Sequence, residues 1–334
     1  MLAFGMTIGL VLGLVFGSRA ASAASLTVLM GEDSAAHSEF VQQLRADQEP
    51  GGKFELVRLS PGGAEVPQGT ETAGADPERA NAGVRTRSLR TSADAGLTVA
   101  VGVAAARAAV DRPGQEPLVL AMLSRLDYET LRAGNPTFKR GDRRVGVLLR
   151  DPAMADQLAL IGAVLPQKHR IGVVATPESE PLVRELQRAA QGANPAWDVR
   201  VEYAPDAKSL AAALRAVVPL SDALMVLPDL IGDNQAATLA VLRAGAGAGL
   251  PVFGASEGLV RSGGLAAAVS TPVQLAQQAR LLGQKVASAG NNNSGPLVEA
   301  ATPATVRVNA TVARGLGLRL PEERELTERL AATR

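Results

Sequence analysis

Ser256 stands in the turn Gly254-Ala255-Ser256-Glu257-Gly258, directly after the apolar run Pro251-Val252-Phe253. A serine in a G-x-S-x-G turn that leaves a buried strand has the form of a hydrolytic nucleophile elbow, and its histidine base comes later in the chain. The two histidines, His37 and His169, both come earlier. A secreted α/β hydrolase-like enzyme is therefore the weaker reading. The same turn supports a second chemistry. A polar loop at the carboxyl end of a buried strand is where open α/β sheets bind small ligands. The free amides of the following helix can receive a carboxylate or another anion there.

Other catalytic signatures fail on their context. Gly245-Ala246-Gly247-Ala248-Gly249 follows a helical pattern instead of opening one, so it is no dinucleotide loop, and a phosphate-binding G-x-x-x-x-G-K-[ST] is absent. The chain has no cysteine, which removes disulfides, thiolate chemistry and cysteine-based metal sites. Two histidines far apart in sequence could not fill a metal site without several carboxylates. The sequence calls for no cofactor and no metal. A net charge of +1 gives no pull toward nucleic acid.

The elements that must hold such turns repeat in the order strand, polar turn, helix. Leu26 to Met30 reads as a first strand, and Phe40, Val41 and Leu44 mark one face of the helix after it. Phe54 to Leu59 reads as the second strand. Pro61 to Gly96 is rich in Gly, Pro, Thr, Ala and Arg, with a short helix near Asn81 to Leu89 as its only regular piece, and is expected to be an insertion of low order. Strands resume at Leu97 to Val101 and Leu118 to Leu123, and Ser124 is placed to cap the helix carrying Tyr128 and Leu131. After the strand Arg144 to Leu149, Asp151-Pro152 is expected to start a helix, with Asp151 as its cap. Further strands are expected at Arg170 to Ala175, Val199 to Tyr203, Ala223 to Leu227 and Thr305 to Asn309. Asp206 and Asp233 are expected to cap helices. Thr271-Pro272-Val273-Gln274 combines a cap, a proline at the first helical position and a capping box. Ser288 to Pro296 reads as a polar loop.

Alternating strands and helices imply parallel sheets with right-handed crossovers. The number of strands is large for one sheet, and two doubly wound lobes fit better than an eight-unit barrel. Hydrophobic residues make up 46% of the 334-residue chain and aromatics only 3%, so the core must be aliphatic. Met6 to Phe16 is an apolar run of leader length, too short to span a membrane comfortably, and Ala21-Ser22-Ala23 offers a small-x-small cleavage site. A signal peptide over residues 1–23 is expected, with an uncleaved anchor as the alternative, since no Lys or Arg precedes the run.

Several segments together resemble the substrate-binding proteins of ABC transporters, in particular the tryptophan- and tyrosine-type members. They are LTVAVG (Leu97 to Gly102), PLVLAMLSRLDYETL (Pro117 to Leu131), RRVGVLLRDPAMADQLALIGAVLPQKHRIGVVAT (Arg143 to Thr176), LPVFGASEGLVRSGGLAAAVSTPVQLAQQA (Leu250 to Ala279) and TVRVNATVARGLGLRLPEE (Thr305 to Glu323). The resemblance implies a type I periplasmic-binding fold: two Rossmann-like lobes, a hinge of three crossover strands, and a small-molecule ligand in the cleft between them. It implies lobe 1 from residues 24–150 plus 270–305 and lobe 2 from 151–269 plus 306–334. The crossovers are expected near Leu149 to Pro152, Ala267 to Thr271 and Val306 to Ala310. It implies a monomeric, non-enzymatic periplasmic protein that delivers an amino-acid-like solute to an ABC permease in the inner membrane. A ligand-free, protein-binding relative of the same fold is a further alternative. The expected ligand-binding residues of the first lobe are Glu32, Asp33, Ser34, Gly102, Ser124 and Arg125, and those of the second are Thr176, Glu178, Asp229, Ser256 and Glu257, with Asp151 beside a crossover. Ser34 and Ser256 would present helix amides to an anion, Arg125 would add a charged pair, and Asp229 or Glu257 would take an ammonium.

Overall fold

The computed structural model describes residues 25–48, 52–59, 65–67, 96–136, 138, 143–289, 295–303 and 305–332. The leader lies outside them, as does Pro61 to Gly96 apart from residues 65–67 and Gly96.

Two sheets organise the chain. The first has the order β12-β6-β5-β4-β1-β2-β3. Its strands are β1 (Leu26–Met30), β2 (Phe54–Leu59), β3 (Glu65–Pro67), β4 (Leu97–Val101), β5 (Leu118–Leu123), β6 (Val145–Pro152) and β12 (Leu297–Ala301). All its pairs are parallel except β2 with β3. The second has the order β13-β11-β10-β9-β7-β8. Its strands are β7 (Arg170–Ala175), β8 (Asp198–Tyr203), β9 (Ala223–Val226), β10 (Val252–Gly254), β11 (Ala266–Val269) and β13 (Thr305–Val308). Only β13 runs antiparallel, beside β11.

Helices cover both faces of each sheet, which explains why strands such as Leu118–Leu123 are apolar and buried at every position. One face of the first sheet packs on α1 (Ala35–Ala46), through Phe40, Val41 and Leu44, and on the helix Pro272–Ser288, through Leu275, Ala279 and Leu282. Gly283 lets that helix come close, since a Cβ there would lie 2.4 Å from Leu97 Cδ2. The other face packs on α2 (Val103–Asp111) and α3 (Arg125–Gly134), through Ala105, Ala109, Tyr128 and Leu131. The second sheet lies between α4 (Met154–Val164) with α5 (Glu180–Gly192) on one side and α6 (Ala207–Val217) with α7 (Gln235–Ala248) on the other. The short α8 (Glu257–Arg261) follows β10. The Pro272–Ser288 helix is α9, and α10 (Ala310–Gly315) and α11 (Glu323–Ala332) close the chain on the α4 side.

Among the described residues, the chain passes between the sheets three times. It leaves β6 for α4 at Pro152, returns from β11 into α9 over residues 269–272, and leaves β12 for β13 over residues 301–305. The last passage lies ahead of the expected Val306 to Ala310. Leu297–Ala301, which follows the polar loop and shows no clean alternation, forms the edge strand β12 by pairing with β6. The start of α4 also differs from expectation. β6 runs through Asp151 and Pro152, and Ala153 is the N-cap, with no side-chain cap. Asn234, not Asp233, caps α7. Both aspartates face other charges instead.

Candidate ligand-binding site

At the carboxyl end of β1, Ser34 caps α1 by accepting from the His37 amide at 3.1 Å. Asp33 accepts from Ser38 Oγ at 2.9 Å and from Arg58 at 2.8 Å, and these bonds hold its carboxyl below the usual range. Glu32 is exposed, and its carbonyl lies 3.2 Å from His37 Nδ1. Gly102, the N-cap of α2, has φ +82, and a Cβ there would lie 2.9 Å from His37 Cε1. Glycine is needed on both counts. One group thus unites Glu32, Asp33, Ser34 and Gly102 around His37, which the sequence reading left aside.

A second group lies where the first passage leaves the sheet. Met122 takes φ +62, and the β5–β6 register shifts between Ala121 and Leu123. A buried non-glycine residue in that conformation stores about 1–2 kcal/mol. This bend aims Ser124, which forms a reciprocal capping box with Asp127. The next residue, Arg125, reaches the other lobe: its Nε and Nη2 donate to Glu185 of α5 at 3.1 and 2.9 Å. The second oxygen of Glu185 accepts from the Met154 amide at 3.3 Å, in the role a cap would take at α4. Asp151 lies beside them. Its Oδ1 is 3.8 Å from Arg150 Nε, whose guanidinium also lies 3.6 Å from Asp233. Its Oδ2 is shut off from solvent and has no hydrogen-bond partner. Burial pushes the Asp151 carboxyl up to about 6, against the pull of Arg150 and with the push of Asp233, Asp127 and Glu185.

The third group belongs to the second lobe. Thr176 Oγ1 and Ser179 Oγ lie 2.9 Å apart, and Ser179 donates to Asp229 Oδ2. Asp229 Oδ1 accepts from the amides of Ile231 and Gly232 at 2.9 and 3.1 Å. All three side chains are buried, and burial raises the Asp229 carboxyl. Asp229 holds the turns after β7 and β9 together, so its oxygens are already engaged. Glu178 is exposed on the intervening turn. Ser256 caps α8 by accepting from the Leu259 amide at 3.2 Å, and Glu257 pairs with Arg261 at 3.0 Å and Arg307 at 3.1 Å.

Sequence reasoning passed over His37, Asp127, Ser179 and Glu185. Asp127 had a signal, three residues after Ser124. Ser179 and Glu185 meet their partners only through tertiary structure. A groove of about 570 Å³ lies elsewhere, between α6 and α7 on the covering helices, lined by Leu210, Leu214 and Ala240 with Arg215 and Arg243. Its lining includes none of the polar groups described above.

No curated protein matches the sequence. Solved structures of similar fold include the ABC domain in complex with L-Trp from Streptococcus pneumonia, at 15% identity and TM-score 0.50, covering 90% of this chain and 97% of that one. A conserved domain protein from Vibrio cholerae has 19% identity and TM-score 0.51, with 92% and 98% covered. A ligand-free, open substrate binding protein with adhesive properties from Clostridium difficile has 14% identity and TM-score 0.59, with 90% and 96% covered. At these identities the likeness speaks for the fold. The family model for ABC transporter substrate binding proteins matches residues 72–327, well over half of the chain. On that match the chain belongs to the ABC transporter substrate binding protein family.

Proposed function

We propose that this protein is the periplasmic solute-binding component of an ABC importer. In this reading the leader is removed near Ala24, and the mature monomer captures a small, amino-acid-like molecule between its lobes and hands it to a permease in the inner membrane. It acts by binding, not by catalysis. The observation that supports this best is the pair of doubly wound sheets joined by three single-chain passages, with polar groups at the carboxyl ends of both sets of strands. Two such lobes can hinge shut on a ligand. Ser34, Gly102 and Ser124 would line one wall with Glu32 and Asp33, and Thr176, Glu178 and Ser256 the other with Glu257. Asp229 would support that second wall.

A thermal-shift screen of amino acids, small organic acids, sugars and nucleosides tests the reading. A true solute at a hundredfold excess over its dissociation constant adds about 2.7 kcal/mol of stability by mass action. No shift from any solute would overturn the reading. Turnover of a generic ester that disappears with Ser256→Ala would replace it with the hydrolase alternative.

A further inference from the structure

We propose that the groove between α6 and α7 is a second binding site, separate from the cleft, and that it takes a single-chain amphiphile with an anionic head, in its simplest form a long-chain fatty acid. The inference goes beyond the solute-binding reading and does not depend on it.

The groove measures about 570 Å³, within the roughly 300–1,000 Å³ of small-molecule sites. Its floor is Leu210 and Leu214, both buried in the core beneath these helices. Ala211 and Val218 stand on the α6 side, and Ala240 and Ala244 on the α7 side. Apart from two arginines, every side chain of the lining is apolar. The lining follows α6 from Ala207 to its end and on to Pro219. α6 has 11 residues, and at about 1.5 Å of rise per residue it is about 16 Å long. An acyl chain in one leaflet of a bilayer spans about half of the ~30 Å hydrocarbon core, or ~15 Å. The groove is therefore long enough for one such chain.

The two arginines set the sign of the head group. Arg215 on α6 and Arg243 on α7 line the groove from opposite sides, and both are exposed. Among the described residues neither has a hydrogen-bond or ion-pair partner. Other arginines of the same lobe are matched: Arg170 with Asp222, Arg184 with Glu180, Arg200 with Asp198 and Arg307 with Glu257. The acid that starts α6, Asp206, is taken up by the amides of Lys208 and Ser209. Residues 207–220 and 235–250 hold Lys208, Arg215 and Arg243 but no Asp or Glu, in a chain whose 34 basic and 33 acidic residues otherwise nearly cancel. A guanidinium fork takes a carboxylate or phosphate bidentately, and its stem lies along apolar surface. The groove thus complements an anion and a hydrocarbon chain together. Other occupants fit worse. A second copy docked by the same face would set these arginines against their own counterparts with no acid between them. A neutral chain would leave both guanidiniums unmatched, and a cationic one would be repelled.

Isothermal titration calorimetry of the mature protein with laurate, below its micelle concentration, tests the proposal. Neutral decyl maltoside and cationic dodecyltrimethylammonium are the comparison probes. Two double variants are used, Arg215→Gln with Arg243→Gln, and Ala211→Leu with Ala240→Leu. Gln and Leu are good helix formers and none of these positions is fully buried, so both variants should fold, which circular dichroism melts check. Laurate should saturate at one molecule per protein. Removing the charges or filling the groove should each weaken binding about tenfold, or about 1.4 kcal/mol. The comparison probes should bind about tenfold more weakly than laurate or worse. Each methylene removed from laurate should weaken binding about two- to fourfold. If either folded variant binds laurate within about twofold of wild type, or the cationic probe binds as well as laurate, the proposal is overturned. Sedimentation with phosphatidylglycerol vesicles separates a free amphiphile from a lipid surface. Binding to vesicles without saturable binding of laurate would make this face a membrane contact and overturn the proposal, as would binding of neither.

Discussion

The first and second passages between the lobes do the same topological work with opposite polar accounting. At the second, Thr271 caps α9 with a reciprocal capping box from Gln274, and Pro272 starts the helix. Ser270 donates to Thr302 O, and Gln278 both donates to Ala300 O and accepts from the Thr302 amide. Those bonds also tie the second passage to the third. At the first, α4 has no side-chain cap, its Met154 amide relies on Glu185 from another helix, and Asp151 Oδ2 and Gln157 Oε1 are left without partners. Each bond made at the second passage is worth roughly 1 kcal/mol, whereas an unmade bond on a buried group costs about 1–3 kcal/mol. One passage is therefore built for order, and the other carries an unmet polar deficit.

The sharpest way to break this contrast is Asp151→Asn. Burial raises the Asp151 carboxyl from 3.8 in the unfolded chain to about 6 in the folded one. A raised carboxylate costs stability where it is ionised, so the penalty is fully present above about pH 6 and gone below 3.8. At 1.36 kcal/mol per unit that is about 3 kcal/mol. Without ligand, the variant should be more stable than wild type by up to about that amount at pH 7.5, and the gap should close by pH 4. Denaturant melts at the two pH values measure it. A variant that is less stable at pH 7.5 would mean that the two passages do not differ in kind.

A smaller effect of opposite sign is expected at the second passage. Gln278→Ala removes both bonds to the strand β12 and its exit, and should cost about 1–2 kcal/mol at every pH. Urea unfolding at pH 5 and 8 gives the comparison, and a strong pH dependence would blur the distinction. The smallest effect concerns the bridge between lobes. Arg125 and Glu185 are partly exposed, at 23% and 20%, so a double-mutant cycle with Arg125→Ala and Glu185→Ala should give a coupling of about 1 kcal/mol or less, weakened by salt. A coupling of several kcal/mol would move the energetic centre of the first passage from Asp151 to this pair.

The second passage was also the more legible of the two. Thr271, Pro272 and Gln274 lie within four residues and announce the helix by local chemistry alone, as do Ser124 with Asp127 and Asp206 with Ser209. The fully apolar strands showed the parallel sheets in the same way. Asp151-Pro152 carries an equally plain helix-start signal, yet β6 overrides it by pairing Pro152 with Ala301. β12 has no signal of its own because its pairing partner is about 150 residues earlier in the chain. The candidate site was legible as a set of turns, since strand ends can be read. It was not legible as a set of partnerships. Arg125 with Glu185, Ser179 with Asp229 and Arg150 with Asp233 join residues 50 to 83 positions apart, and no local pattern encodes them.

The return of the chain to the first sheet also sets the order in which the molecule can be completed. The apolar face formed by Leu26, Val28, Val99 and Phe40 is covered by Leu275, Ala279 and Leu282 of α9, and the edge of β6 is closed by β12. Both arrive only after the strands β7 to β11 of the other lobe have been made. At about 5–20 residues per second of synthesis, the interval from residue 152 to residue 297 is roughly 7–30 s. Throughout it the first lobe has half its core bare and cannot settle. A fragment ending at Val269 would keep that face open permanently, so neither lobe is obtained by a single cut. The delay suits the proposed export, because a chain whose first half waits for its last quarter stays threadable while it crosses the membrane.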